Sequence, residues 1–353
     1  MEGLKTKLDL SFELLRMRTK HPFGISYGSS SDSFSVLVRL RCGDFEGVGE
    51  CAPASYHCES IATVMAVLED FKKKEVLGDD PFAIEAVLRR MDKTIAGNAA
   101  AKAGVEMAMQ DICGKILGKP LQQIYGLSGL PAPITDFTIG IDNLEMLERK
   151  TKEAIADGFK VLKVKQGTDY DRKIIETVRK HAGDTPLRVD ANGAWSPKQA
   201  VEMSKFLAEH NVQFIEQPLP KFAPIEDWRF VHEHSQLPIF ADETCMRSID
   251  AARLGGAGVV DGIVVKLAKT GGISEAIKLI HTARAHNLKV MIGCMIESSI
   301  GISAAAHIAP LVDYLDLDGA MLLAEDPFEG AYYKDGQMLP TDRPGLGVLP
   351  RKA

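Results

Sequence analysis

Three carboxylates and an amine recur along this chain at a nearly constant interval. Asp190 closes LRVD, Glu216 closes QFIE, Asp242 closes IFAD and Lys266 closes IVVK, at successive spacings of 26, 26 and 24 residues. Carboxylates gathered in one place raise each other's pKa, and a hard divalent cation resolves that conflict. Oxygen-only ligands favour magnesium over zinc. The set predicts one Mg2+ ion bound by Asp190, Glu216 and Asp242. Taken singly, each carboxylate could instead cap the helix after its strand. Three at a regular spacing favour the metal.

Lys163 and Lys165, in KVLKVK, stand one interval earlier. Two residues apart on a strand, they point to one face. An inward lysine is costly unless paired or used, and burial with mutual repulsion would lower the pKa of one of them to give a general base. Either alone could be a snorkelling surface lysine. Lys266 would then lie across from them, leaving room for a substrate carbon with a proton-transfer group on each side. Lys269 reads as a solvated loop residue or a substrate-loop contact.

Such spacing is one strand plus one helix of a repeating β/α chain, and in a closed barrel the C-terminal strand ends share one mouth. Eight strands are expected, at 136–141, 160–165, 186–191, 213–217, 238–242, 262–266, 289–294 and 313–318. Helical stretches separate them, with Gly158, Asn211 and Asn287 as C-terminal stops. The first segment reads differently. SFSVLVRLRC and FEGVGECAP form a hairpin turning at Gly43 and Asp44, followed by helical periodicity to about residue 130. After Asp318 a Gly- and Pro-rich tail replaces the final helix. The expected fold class is α/β: a modified TIM-type barrel, (β/α)7β, over 131–324, under an α+β capping domain of residues 1–130 completed by 325–353.

Composition excludes several roles. No apolar run approaches the roughly 20 residues of a membrane helix. The net charge of −6 has both signs interspersed, so nothing here tracks a phosphate backbone. Neither membrane nor nucleic acid is an expected partner. MEGLKTKLDL lacks the apolar core of a secretory signal, and the six cysteines form no CxxC pair, which points to reduced thiols in a cytoplasmic protein. Closed homo-oligomers are common among such barrels, and one is expected here.

KVLKVK, LRVDANGAW, FIEQPLP, FADET and VVKLAKTGG, together with GVGECAP and AAKAGVEMAMQDICGKILGKPL, resemble the enolase superfamily in its muconate-lactonizing subgroup, over nearly the whole chain. The resemblance implies Asp190, Glu216 and Asp242 as metal ligands and Lys165 and Lys266 as the acid/base pair, since sites of this superfamily use a lysine or histidine base with Mg2+. It also implies that Lys163 neutralises the substrate carboxylate and depresses the pKa of Lys165. Removing a proton next to a carboxylate creates an enediolate, whose charge a cation stabilises more than it does the ground state. With a lysine on each face, proton removal and return from opposite sides invert the stereocentre.

The last strand narrows the substrate. Asp316 and Asp318, in YLDLDG, share one face at the mouth and are not needed for the metal. By itself a DLD at a strand end is more often a turn or cap. The segment is similar to that of the dipeptide epimerases, where a DxD pair holds a free α-ammonium; this implies epimerisation of a dipeptide, with Asp318 the main ammonium partner. Members acting on Ala-Glu can carry an arginine in the loop after the first strand. HPFGISYGSSSDSF has Gly28 near that place and no arginine. Loop 24–33 is expected to act as a lid, with Ile25 and Tyr27 forming an apolar wall suited to a neutral side chain, while Lys20 or His21 could supply positive charge instead. Glu297 would orient Lys266 or bind substrate. His57 beside Cys58 belongs to cap loop chemistry near the site, and His232 and His234 are solvated.

Other readings compete. On the same scaffold the reaction could be a cycloisomerisation, an o-succinylbenzoate synthase reaction or an N-acylamino acid racemisation, on an acid without an ammonium group. A non-catalytic relative would not need the whole lysine and carboxylate set. A sugar- or phosphate-processing barrel would carry a glycine-rich phosphate cradle where LDLDGAM stands.

Overall fold

The computed structural model describes residues 7–351. The opening residues 1–6, read above for a secretory signal, and the last two residues of the tail lie outside the described residues. The chain begins with an antiparallel sheet, β1 (Asp9–Ile25), β2 (Gly28–Cys42) and β3 (Phe45–Cys51), in the order β1-β2-β3. Helices α1 (Ile61–Lys73), α2 (Ile84–Thr94) and α3 (Ala99–Leu117) follow. α3 is buried along most of its length. It lies so close to β3 that a Cβ at Gly49 would fall 1.9 Å from the Gly104 carbonyl oxygen, and one at Gly47 2.1 Å from that of Ala108. The two glycines of GVGEC are therefore the condition for this strand–helix contact.

Residues 24–33 are not a loop. Gly24 pairs with Ser29 and Ile25 with Gly28, so the chain reverses through Ser26 and Tyr27 alone, with Gly28 at φ 141°. A serine-rich run has loop composition, but cross-strand pairing satisfies its backbone groups and extends β2 through it.

Eight parallel strands then form the barrel: β4 (Phe137–Ile139), β5 (Leu162–Lys165), β6 (Leu187–Asp190), β7 (Val212–Glu216), β8 (Ile239–Ala241), β9 (Gly262–Val265), β10 (Lys289–Gly293) and β11 (Tyr314–Asp316). They are ordered sequentially, and a parallel bridge from Thr135 to Leu315 joins the two ends. Each falls within about two residues of its expected range. Gly158, Asn211 and Asn287 all take positive φ just past helices, as stop residues do.

Inward-facing residues follow the strand period of two. Phe214, Phe240, Val264 and Met291 form a buried cluster with Tyr314 against it. Arg188 lies over the Phe214 and Tyr314 rings and bonds Asp136 at 2.8 Å and the Leu315 carbonyl at 2.7 Å. Two residues further along β6, β7 and β8 come Asp190, Glu216 and Asp242. An apolar and aromatic floor thus lies beneath an ionic layer.

After β11 comes a short 3-10 turn, Gly319–Leu322, in place of a helix. The tail touches both parts of the molecule: the Tyr333 hydroxyl donates to Gly158 O, and Leu346 N donates to Asp111 of α3. Among the described residues no helix is long and apolar enough to cross a membrane, and no disulfide joins the six cysteines.

Candidate active site

Asp190, Glu216 and Asp242 arrive at one mouth because they end, or follow directly on, three adjacent strands. Each offers a carboxylate oxygen within 4.8 Å of the others, and all three are fully buried. Neither Glu216 oxygen accepts a hydrogen bond, although the Lys163 ammonium lies 2.7 Å away as an ion pair. Three convergent carboxylates, one with an oxygen that has neither a hydrogen bond nor an ion pair, fit a hard divalent cation, and Mg2+ is the ion this donor chemistry suits.

Amines surround the triad. Lys165 donates to Asp190 at 2.5 Å and Lys266 to Asp242 at 2.7 Å. Lys163 lies 3.3 Å from Asp190 and donates to Asp316 at 2.8 Å. Lys269 is not solvated as expected: it is 2% exposed and donates to the Asp242 carboxylate at 2.6 Å and to Cys245 O at 2.8 Å. The reason is its place in the one-turn helix Leu267–Thr270, capped by Lys266 just after β9, from which its amine reaches Asp242.

Electrostatics follow from this crowding. Burial opposes ionisation of Asp190, but Lys165 and Lys163 hold it down at about 2. Burial likewise opposes ionisation of Asp242, yet Lys266 and Lys269 take it well below the usual range. Glu216 is pushed well above that range by burial and by the Asp190 charge. For Lys163 burial favours the neutral amine, yet Asp316, Glu216 and Asp190 raise it well above its ordinary value. Any lowering by Lys165 is outweighed there, because three acids face this amine.

Above the triad opens a cavity of about 240 Å3. Lys165 and Lys266 line it, as do Asp316, Asp318 and Ile25. Lys163 does not; it lies among the carboxylates. Tyr27 stands outside, stacked on Tyr56 at 4.8 Å between ring centroids, while neighbouring Ser26 donates to Asn192 O at 3.2 Å. The β1–β2 turn therefore reaches from the cap over the loop that follows Asp190. Glu297 also stands outside the cavity, accepting from Met295 N at 3.2 Å, and the acid that Lys266 bonds is Asp242. It supports the wall instead of touching its contents.

Asp318 accepts from Thr138 N at 2.6 Å, and burial with the nearby Asp316 charge raises it to about 7. His57 is buried against Tyr56, both of its ring nitrogens lack a hydrogen-bond partner, and burial lowers it to about 3. His234 is exposed, and His232 pairs with Asp261 at 3.3 Å. Sequence reasoning missed Thr138, Tyr56 and Met295 among the lining residues, along with the buried bond from Asn192 to Glu243 at 3.1 Å. The ANG of LRVDANG and the DET of FADET carried a signal, since polar residues directly after a ligand's strand stay at the mouth.

Residues 11–126 match the family model for the mandelate racemase/muconate lactonizing enzyme N-terminal domain, and residues 146–353 match the enolase C-terminal domain-like model. The L-Ala-D/L-Glu epimerase of Bacteroides thetaiotaomicron is 38% identical over 98% of this chain and 89% of its own length. The dipeptide epimerase of Enterococcus faecalis V583, solved with Mg and the dipeptide L-Leu-L-Tyr, superposes with a TM-score of 0.91 at 33% identity, covering 97% of this chain and 99% of that one. That of Cytophaga hutchinsonii, solved with Mg and D-Ala-L-Val, gives 0.93 at 30% identity over 98% and 96%. The chain belongs to the mandelate racemase/muconate lactonizing enzyme family of the enolase superfamily and is an isomerase of the epimerase kind.

Proposed function

We propose that the protein epimerises dipeptides at the carbon α to the C-terminal carboxylate, by 1,1-proton transfer between Lys165 and Lys266 through an enediolate. The observation that carries this reading is one cavity holding both lysines above the carboxylate triad, with an acid pair at its rim. Mg2+ on Asp190, Glu216 and Asp242 would supply Lewis-acid stabilisation of the charge developing on the substrate carboxylate. The lysines do the rest. One, as neutral amine, takes the α-proton and becomes an ammonium. The other, already an ammonium, returns a proton to the opposite face, and the two exchange states for the reverse direction. Lys163, held as a cation, adds positive charge beneath the carboxylate. Asp318, with Asp316 behind it, pairs with the α-ammonium. That partner favours a dipeptide over the cycloisomerase, synthase or N-acylamino acid substrates, which lack an ammonium.

The second residue is uncharged in this reading. Ile25, Phe34, Pro53, Tyr56, Met295 and Ile296 form much of the cavity wall, and Lys165 and Lys266 are its only basic residues among the described residues. Lys20 and His21 face a separate cleft, where His21 pairs with Glu153 at 3.1 Å. We further place the protein in the cytoplasm as a homo-oligomer, with residues 1–130 and 325–353 as cap and 131–324 as catalytic barrel.

The test is incubation with a dipeptide library in D2O and Mg2+. The expected result is a mass increase of one unit at the C-terminal residue together with the second epimer, strongest for L-Ala-L-X with apolar X. Turnover of an N-acylated or ammonium-free acid, with no exchange into any dipeptide, would overturn it.

A further inference from the structure

Glu50 takes no part in the chemistry above, yet it is a completely buried carboxyl group where cap meets barrel. It sits on β3, one residue before the strand ends, and Ala52, Pro53, Ala54 and Tyr56 just beyond it line the substrate cavity. Its carboxylate reaches across to the barrel. Oε1 accepts from the Ser35 hydroxyl at 2.7 Å, and Oε2 accepts from Ser298 N at 3.0 Å and from the Ser298 hydroxyl at 2.5 Å. Ser298 is the N-cap of the helix Ser299–Ala306, so an acid of the cap domain closes the N-terminus of a barrel helix.

The segment directly before that helix is the opposite wall of the cavity, Cys294, Met295 and Ile296. It is held at several points. The Ser33 hydroxyl donates to Ile296 O at 2.7 Å, and the Tyr56 hydroxyl contacts Met295 Sδ at 3.6 Å. On its far side Gly319, next to Asp318, packs so tightly that an added Cβ would stand 2.2 Å from Met295 O. One buried carboxylate thus ties together the two walls between which a substrate side chain must fit, and the second wall abuts the residue assigned to the ammonium.

We propose that Glu50 is a positioning residue for substrate selection: through Ser298 it sets the separation of the 52–56 and 294–296 walls, and so the size of C-terminal side chain the enzyme accepts. The proposal rests on the dipeptide reading for its substrate but not for its mechanics. Backbone placement of this kind needs an acceptor for both the amide and the hydroxyl of Ser298. A carboxylate provides this with either oxygen, whereas an amide keeps a single acceptor and must turn its NH2 either at Ser298 N or at the Ser35 hydroxyl, which then has to reverse and accept.

The test compares wild type with Glu50→Gln and, in case that variant does not fold, Ser298→Ala and Ser35→Ala. With L-Ala-L-Phe and L-Ala-L-Leu, KM should rise about tenfold with kcat nearly unchanged, while L-Ala-L-Ala, too short to reach the walls, should change little. Glu50→Asp should not rescue, because the shortened side chain no longer reaches Ser298. Equal losses for small and large side chains, or a fall in kcat alone, would overturn the selective role. Amide hydrogen exchange gives a readout independent of substrate: residues 295–301 should exchange at least about tenfold faster in Glu50→Gln, with β6 to β8 unchanged. Unchanged protection at 295–301 would sink the inference even with normal epimerisation. Absence of dipeptide turnover in wild type, with faster exchange in the variant, would instead refute the dipeptide reading and leave the positioning role standing.

Discussion

Lys163 Nζ and Asp316 Oδ2 lie 2.8 Å apart inside the barrel, joining the second strand to the eighth. The two acids of the DLD segment are therefore not equivalent. Asp316 is committed to Lys163 and also accepts from the Thr138 hydroxyl at 3.3 Å. Asp318 has Thr138 N as its partner and faces the cavity.

Substituting the two acids should separate stability from binding. Asp316→Asn removes part of the charge that balances a buried ammonium, and breaking such a pair costs about 3 kcal/mol. A Tm lowered by several degrees is expected, measured by calorimetry with and without Mg2+. Asp318→Asn removes a group whose folded pKa, about 7, lies above its ordinary 3.8, so ionisation of Asp318 costs folding energy as pH rises between those values. Its Tm at pH 8 should match or exceed that of wild type, while KM for dipeptides rises by about 10-fold or more. A folding defect in Asp318→Asn with normal KM would contradict the division of labour.

Removing one triad ligand should abolish metal binding without unfolding the chain. In Asp190→Ala the Mg2+ binding heat seen for wild type by titration calorimetry should vanish, with turnover reduced by at least about 1000-fold. A preserved heat signal would place the ion elsewhere.

Much of this arrangement is legible in the sequence because barrel topology converts a spacing into a place. Eight strands at a regular interval must bring their C-terminal ends to one mouth, so Asp190, Glu216, Asp242, Lys165 and Lys266 follow from position alone. Lys269 does not, because its burial depends on a one-turn helix that brings its amine to Asp242, and four residues past the end of β9 is within loop range. The 24–33 run was misleading for a related reason. Its serines carry loop propensity, and only pairing with β1 makes a strand of them. Cross-domain contacts such as that of Glu50 with Ser298 join residues 248 positions apart, and no local pattern encodes such a pairing.

The lysines make a prediction about isotope exchange. If each serves one face of the α-carbon, then Lys165→Met should retain α-deuterium exchange for one epimer of the dipeptide and lose it for the other. Lys266→Met should show the reverse selection, and both should lose interconversion. Proton NMR in D2O, following each epimer separately, reads the outcome. Loss of exchange for the same epimer in both variants would place the amines on one side.

The buried acid behind the cavity wall gives a pH dependence of stability. Glu297 is raised from 4.5 to about 8, first by burial and then by the neighbouring Glu50 charge. A folded-state pKa above the unfolded one means that the folded chain holds the proton more tightly. Its contribution is fully present below about pH 4.5, declines as pH rises, and is gone once pH passes 8. Glu297→Gln, which resembles the protonated acid and does not titrate, should lack this decline. The Tm of the variant relative to wild type should therefore grow by on the order of 5 °C between pH 4.5 and 8 and level off above that. A Tm difference that shrinks with rising pH would mean that Glu297 is ionised in the folded protein, and with it the account of the wall as held by a neutral acid would fail.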